Sequence, residues 1–291
     1  MAANEVKRKK VKRMNFTLGE LLNSTWNLFT NRLGLAWAVL FSGLIPVLLL
    51  TMVMAIFGLG GGLVGTMSSL AHPGLGMHRG AGGFAAGAGV GMVLGIVVGI
   101  GSYPYCLGGL MGTVGDALGT ETDFSVWRFF THGSKLYGRS FVFFLLSLVL
   151  GLVVAAVALI GGIILHYVWF VLALLWAVAL YLAFGCLLFY WVPAVYLEDQ
   201  GQAEALAKAF QVTFREGKWK QAVGFLLVCL LAGVVLWIVS TILDITIIGL
   251  VVGIPLMIVG PLFLEAFVLL GSFNAYNADN PPPVVPAGMA V

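Results

Sequence analysis

One acidic side chain stands where acids are rare. Glu265 lies inside an apolar run, four residues after Pro261 and about a turn and a half from the end of that run. A carboxylate within a membrane span is costly, and it is a candidate site for a proton, a cation or a basic ligand group. So close to the end of the run, it equally suits a basic partner or solvation by headgroup water. Soft ligands are present too: Met67, His72, Met77 and His78 stand beside Arg79 in a glycine-rich stretch. Histidine and methionine suit copper, but the spacing is irregular and the glycines deny a fixed geometry, so no metal site is assigned. Cys106, Cys186 and Cys229 fall in apolar runs without Cys/His spacing, where a thiol is a small apolar filler. His132 and His166 have no carboxylate at a motif spacing and read as interfacial residues. Asp244 reads as a turn residue. The chain has no HExxH, GxSxG or GxxxxGK[ST] motif and no paired aspartates within a span. No catalytic residue, cofactor or metal is assigned, and the expectation is a non-enzymatic protein.

The elements that hold these residues follow from composition. The chain has 291 residues, of which 60% are hydrophobic and 9% charged, and its mean hydropathy is +1.04. A soluble domain carries roughly a quarter charged residues, so this chain cannot cover a water-soluble globule. It reads as an integral membrane protein. A helix crosses about 30 Å of hydrocarbon with about 20 apolar residues. The run from Phe141 to Leu197 is 57 residues with one strongly polar side chain, His166, which suits two spans turning near Gly161 and Gly162. The run from Gln221 to Gly271 divides likewise around Asp244. The first third gives a span over Leu35 to Phe57 and another from near Phe84 to near Met111, joined by a flexible surface loop from Gly58 to Gly83. Six helices are expected in an all-α membrane protein.

Fourteen of the fifteen basic residues fall before the first of these spans or in the two loops on the same side. Lys7, Arg8, Lys9, Lys10, Lys12, Arg13 and Arg32 precede the first span. Arg128, Lys135 and Arg139 lie between the second and third, and Lys208, Arg215, Lys218 and Lys220 between the fourth and fifth. Only Arg79 is opposite. Basic loops face the cytoplasm, so both termini are expected there, in the cell membrane. The amino-terminal cluster is read as an orientation signal that contacts anionic lipid headgroups, not as a nucleic-acid site. The polar stretch after it does not fit a removable signal peptide.

The three approaches to these hairpins resemble one another. Residues 15–20 read Asn-Phe-Thr-Leu-Gly-Glu and lead through Trp26 and Phe29 to Arg32; Asp123 leads through Trp127 and Phe130 to Lys135; Gln202 leads through Leu206, Phe210 and Phe214 to Trp219. Each is a short amphipathic stretch with aromatics and a basic residue ahead of a span, the pattern of a helix lying in the interface. Thr17-x-x-Glu20 fits a capping box. Trp26, Trp127 and Trp219 are expected at headgroup depth. Each outgoing helix carries a proline, Pro104, Pro193 or Pro261, as a kink position. Phe29, Phe130 and Phe214 are 101 and 84 residues apart, so the first hairpin carries extra length. The fold expected is three parallel hairpins, about 33–111, 141–197 and 221–271. They form one transmembrane domain over 15–271, between a basic tail at 1–14 and a proline-rich cytoplasmic tail at 272–291. Gly83, Gly87, Gly91, Gly95 and Gly99 recur every fourth residue and form a flat strip. In lipid, small residues let another backbone approach, which serves packing within the chain, a homo-oligomer interface, or a pore-lining face.

Phe16-Thr17-Leu18-Gly19-Glu20, Trp26 and Phe29, the stretch Pro104-Tyr105-Cys106-Leu107-Gly108-Gly109-Leu110, and the loop from Glu198 through Ala209-Phe210 resemble six-helix bacterial and archaeal membrane proteins of unknown function. That group includes the membrane domain attached to some glycerophosphoryl diester phosphodiesterases. The resemblance implies a six-helix membrane domain without catalytic residues, because the chemistry of those fused proteins belongs to a separate soluble domain. The functional expectation is a scaffold, assembly or membrane-homeostasis role, with membrane lipids and another membrane protein or a second copy as partners. The alternative is a small transporter or channel that uses Glu265 in a cavity between the hairpins.

Overall fold

A computed structural model describes residues 17–70, 76–118, 124–166, 170–198, 201–244 and 247–279. The basic cluster Lys7, Arg8, Lys9, Lys10, Lys12 and Arg13, the residue His72 and the proline-rich end of the tail lie outside the described residues. Every regular element among the described residues is helical: α1 (Leu18–Thr30), α2 (Leu35–Leu70), α3 (Gly76–Leu118), α4 (Val126–His166), α5 (Phe170–Leu197), α6 (Gln202–Phe210), a π-helical turn (Gln211–Arg215), α7 (Trp219–Asp244) and α8 (Ile247–Asp279). Six segments are long and apolar enough to cross a membrane: Leu35–Gly61, Ala85–Leu118, Val126–Ile164, Phe170–Leu197, Trp219–Leu243 and Val259–Ala278. Helices suit that setting because each pairs its own backbone groups where water cannot. Their outer surfaces are apolar as well, with Val93, Val97, Leu230, Leu231 and Trp237 exposed.

Local chemistry explains the first helix. Thr17 is its N-cap in extended conformation, and its hydroxyl accepts from the Glu20 backbone N–H at 3.3 Å. The Glu20 carboxylate accepts from the Thr17 backbone N–H at 2.8 Å and from the hydroxyl at 3.0 Å. These bonds close the capping box expected from the sequence, and they hold the Glu20 carboxyl below the usual carboxylate range, the backbone bond contributing most. A carboxylate whose value is lowered by folding adds stability that is full above its unfolded value and fades as pH falls through the folded one. The first turn of α1 is therefore expected to lose amide-exchange protection as pH falls below the ordinary glutamate range. Glu20→Gln should remove that dependence, and equal pH profiles in the two proteins would refute the assignment.

Three boundaries differ from the sequence expectation. The stretch 58–83 is not a surface loop: α2 continues to Leu70 and α3 starts by Gly76. Helical glycine costs only about 1 kcal/mol against alanine, so the glycines of this stretch do not by themselves end a helix. The second interfacial segment is no separate helix; it forms the first turns of α4, which runs 41 residues from Val126 without a proline. Finally, α8 passes Gly271 and ends at Asp279 because Phe273, Ala275 and Tyr276 are buried there. Helical assignment is unbroken across Pro104, Pro193 and Pro261, and Pro46 lies inside the incoming helix α2, so proline does not distinguish outgoing helices.

The chain divides into two compact units, Arg32–Leu152 and the remainder, with the division inside α4. In the unit Arg32–Leu152, α2 and α3 lie side by side. The end of α3 fits closely against the start of α4: Tyr105 Oη donates to the Phe130 carbonyl at 2.8 Å, and a Cβ at Gly109 would lie 2.7 Å from the Phe129 carbonyl oxygen. In the other unit α7 pairs with α8, α5 packs on α6 and α8, and α1 packs on α8. There Trp176 Nε1 of α5 donates to the Val157 carbonyl of α4 at 3.4 Å.

Candidate functional site

Two features of the unit containing α1 and α5–α8 concentrate its chemistry: a polar clamp and an apolar cleft. The clamp begins at Glu198, just past the end of α5. Its Oε1 accepts from Tyr276 Oη of α8 at 2.6 Å and is ion-paired with Lys208 Nζ of α6. The Lys208 ammonium also lies 5.5 Å from the centroid of the Tyr276 ring, within range of a cation–π attraction. Tyr276 is buried, so its hydroxyl needs this acceptor. Two residues earlier on α8, Asn274 Nδ2 donates to Ser24 Oγ at 2.8 Å and to Thr25 Oγ1 at 3.3 Å on α1. These bonds tie the last turns of α8 to two elements distant in sequence. Asn274→Leu is expected to loosen α1 by about 1–2 kcal/mol, read as faster limited proteolysis or amide exchange within Leu18–Thr30; unchanged exchange there would show that Asn274 does not hold the helix.

Aromatic rings fill the space next to the clamp. Phe29 of α1 meets Phe263 and Phe267 of α8 edge-on at 5.7 and 5.8 Å. Phe267 stacks on Phe225 of α7 at 5.5 Å, and Phe225 contacts Phe189 of α5 at 5.5 Å. Gly271 leaves room for the Phe225 ring, since a Cβ there would fall within 2.7 Å of its Cε1. Beside this ring chain is a cleft of about 900 Å³, walled by α1, α7 and α8. Trp26, Cys229, Ala232, Leu236, Gly260 and Phe263 are among its walls, and Asn23 is the one amide among the described residues that line it.

Glu265 is not part of either feature. It is exposed, does not line the cleft, and makes no hydrogen bond or ion pair among the described residues. At 100° per residue it sits roughly opposite the α8 stripe of Gly260, Phe263, Leu264 and Phe267. Exposed Pro261 shares its face. The three tryptophans are exposed by 56% at Trp26, 80% at Trp127 and 43% at Trp219, which leaves each free to touch a surrounding phase. In the third approach segment the outward residues are Phe210 and Phe214, with ring centroids 4.9 Å apart, while Ala205, Ala209 and Val212 are buried. The periodic aromatics thus point away from the protein, and small residues make the tertiary contact.

The glycine strip on α3 meets α2. A Cβ at Gly87 would lie 2.7 Å from Gly61 Cα, and one at Gly91 would lie 2.9 Å from Phe57 Cβ and 3.2 Å from Met54 Cα. Gly95 meets Leu50, Gly99 has nothing within 4 Å, and Gly83 lies on the same helix. The three cysteines are buried free thiols, and no group of three or more metal-ligating residues occurs among the described residues. Sequence spacing gave no sign of two pairs. One is the Glu198 cluster; the other is His132 with Asp116, Nε2 to Oδ2 at 2.7 Å, with the ring against Gly112. Asp116 is 16 residues from His132, too far for a motif and close only because α3 and α4 meet.

Six helices fit to cross a membrane, apolar outer faces and an apolar cleft define a multi-pass, all-helical membrane protein. The chain belongs to a family of unknown function (DUF7544), whose model matches residues 120–279. No curated protein and no solved structure matches it. The likeness to the membrane domain of glycerophosphoryl diester phosphodiesterases therefore has no support from these comparisons. The matched stretch contains Glu198, Lys208 and Tyr276 of the clamp, whereas α1 precedes it.

Proposed function

We propose that this chain is a non-enzymatic cytoplasmic-membrane protein that organises lipid or partner proteins, in a scaffold, assembly or membrane-homeostasis role. The observation that carries this reading is the outward display of Trp26, Trp127, Trp219, Phe210 and Phe214 close in sequence to basic residues. Aromatic rings with one polar edge favour the headgroup layer, and neighbouring lysine and arginine attract anionic lipid there. In this reading the six spans form three parallel hairpins with both termini cytoplasmic. The approach segments lie in the interface as a collar. The outward phenylalanines dip into the apolar boundary, and the clamp anchors the collar to α8.

The transporter alternative needs a polar path. The cleft between α1, α7 and α8 lacks Glu265 and has no charged residue in its walls, which favours the scaffold. The test is purification in mild detergent, identification of retained lipids and proteins, and liposome flux assays of the wild type and Glu265→Gln. Retention of anionic lipid above its share of the source membrane, with no Glu265-dependent flux of protons or cations, is expected. A flux that Glu265→Gln abolishes would overturn the reading.

A further inference from the structure

The cleft between α1, α7 and α8 has dimensions and polarity that narrow its occupant. On α7 its walls run from Val228 to Leu236 and on α8 from Leu256 to Phe267. At 1.5 Å per residue these walls are about 12 and 16 Å long, about half of the roughly 30 Å hydrocarbon thickness. The cleft therefore has the depth of one leaflet. Its volume of about 900 Å³ lies within the range of ligand sites, ~300–1,000 Å³. At roughly 30 Å³ for each methylene- or water-sized group, it has room for about thirty chain carbons, the two tails of a single glycerolipid.

The polar groups are at the α1 end. Asn23 is exposed there, without a hydrogen bond among the described residues, and Trp26 lines the same edge one turn on. An amide supplies both donors and an acceptor, and an indole supplies one donor. Trp26 prefers headgroup depth. A long apolar cleft that ends in an amide and an indole complements a molecule with two hydrocarbon tails and hydrogen-bonding oxygens where they join. Burying both tails against protein walls gains packing contacts that loose lipid does not make, the main source of association within a bilayer.

We propose that this cleft is a site for one two-chain glycerolipid, drawn from the leaflet that α1 borders. Its tails lie between α7 and α8, and its glycerol and phosphate oxygens meet Asn23 and Trp26. The proposal rests on the membrane setting of α7 and α8 and does not require the scaffold role.

The full chain is placed in phospholipid nanodiscs that contain a small fraction of a two-chain phospholipid with a photoactivatable group midway along one tail. After irradiation, adducts are mapped by mass spectrometry. They are expected to concentrate on the cleft walls, chiefly Leu236, Leu256 and Val259, over the exposed outer residues Leu231 and Trp237. Ala232→Trp fills the cleft from an exposed position and should lower cleft adducts about tenfold, whereas Leu231→Trp on the outer surface should not. Gly260→Leu fills it from α8, where a Cβ would meet only the Leu236 side chain, at 3.4 Å. It serves as the second filling variant if Ala232→Trp elutes as misfolded protein. Asn23→Ala should reduce labelling by a smaller factor. Four results would overturn the proposal: cleft labelling equal to outer labelling, cleft labelling that survives both filling variants, equal labelling of the cleft by a single-chain fatty-acid probe, or cross-linking of cleft residues to a second copy of the chain. Glu265-dependent flux together with cleft-specific labelling would overturn the scaffold reading and leave the lipid site standing.

Discussion

Gly91→Leu is expected to destroy the folded state of the α2–α3 pair and not merely to change how many copies associate. The reason is the absence of any soft atom to yield. A Cβ at Gly91 would already lie 2.9 Å from Phe57 Cβ and 3.2 Å from the Met54 Cα, and leucine adds three further carbons. One turn away Gly87 would meet Gly61 Cα at 2.7 Å, so the helices cannot slide apart locally without losing that approach too. Overpacking a close contact commonly costs about 1–3 kcal/mol and more where backbone must move. In lipid there is little hydrophobic gain to offset lost packing between helices. The expected outcome is a loss of about 3 kcal/mol or more, seen as a sharp fall in monodisperse protein and in melting temperature in detergent. Gly99→Leu is the matched control, because nothing lies within 4 Å of its Cβ position. If Gly91→Leu folded normally and only the cross-linked oligomer disappeared, the strip would be an interface between copies, and the intrachain packing would be wrong.

That prediction marks how far sequence reached. The apolar runs indicated six spans because hydrocarbon thickness sets a length that composition reveals directly. Thr17 and Glu20 indicated the start of α1 because a capping box is a local device, complete within four residues. The strip on α3 was visible, yet its partner was hidden: Gly61 lies in a stretch that reads as loop when glycine is weighed by intrinsic propensity alone. Tertiary packing decided otherwise. The polar clamp was hidden for a related reason. Glu198 and Tyr276 are 78 residues apart, and Asn274 and Ser24 are 250 apart, so no spacing rule joins them. Glu265 drew attention because an acid deep in an apolar run is rare, whereas Glu198 lay at the end of a span, where acids are ordinary. The structure gives Glu198 the partners. Phe210 and Phe214 were legible as one helical face but not as the outward one, since periodicity tells which residues share a face and leaves open what that face meets.

Glu198→Ala should be the most damaging single change to the clamp. It removes the acceptor of the buried Tyr276 hydroxyl and the counter-ion of Lys208 together. Breaking a buried ion pair from one side costs about 3–5 kcal/mol. Here the Glu198 and Lys208 side chains keep 22% and 29% of their exposure, so solvent screening brings the expected loss to about 2–3 kcal/mol. Tyr276→Phe keeps the ring under the ammonium and deletes only the hydroxyl bond to the carboxylate, for about 1.5–3 kcal/mol. Because both variants act on one oxygen, their effects cannot add. A double-mutant cycle should return a coupling of about 1 kcal/mol or more. Local readout matters as much as the total. The clamp holds α6 to α8, so amide exchange should quicken first in Gln202–Arg215 while the α2–α3 pair keeps its protection. Additive losses below about 0.5 kcal/mol each, with exchange in Gln202–Arg215 unchanged, would mean that α6 is held by the burial of Ala205 and Ala209 alone and that the charged group is incidental. Coupled losses confined to that segment would instead identify Glu198 as the residue that holds the third approach segment against α8. That is the mechanical connection a collar needs if contacts made at the membrane surface are to be felt by the spans.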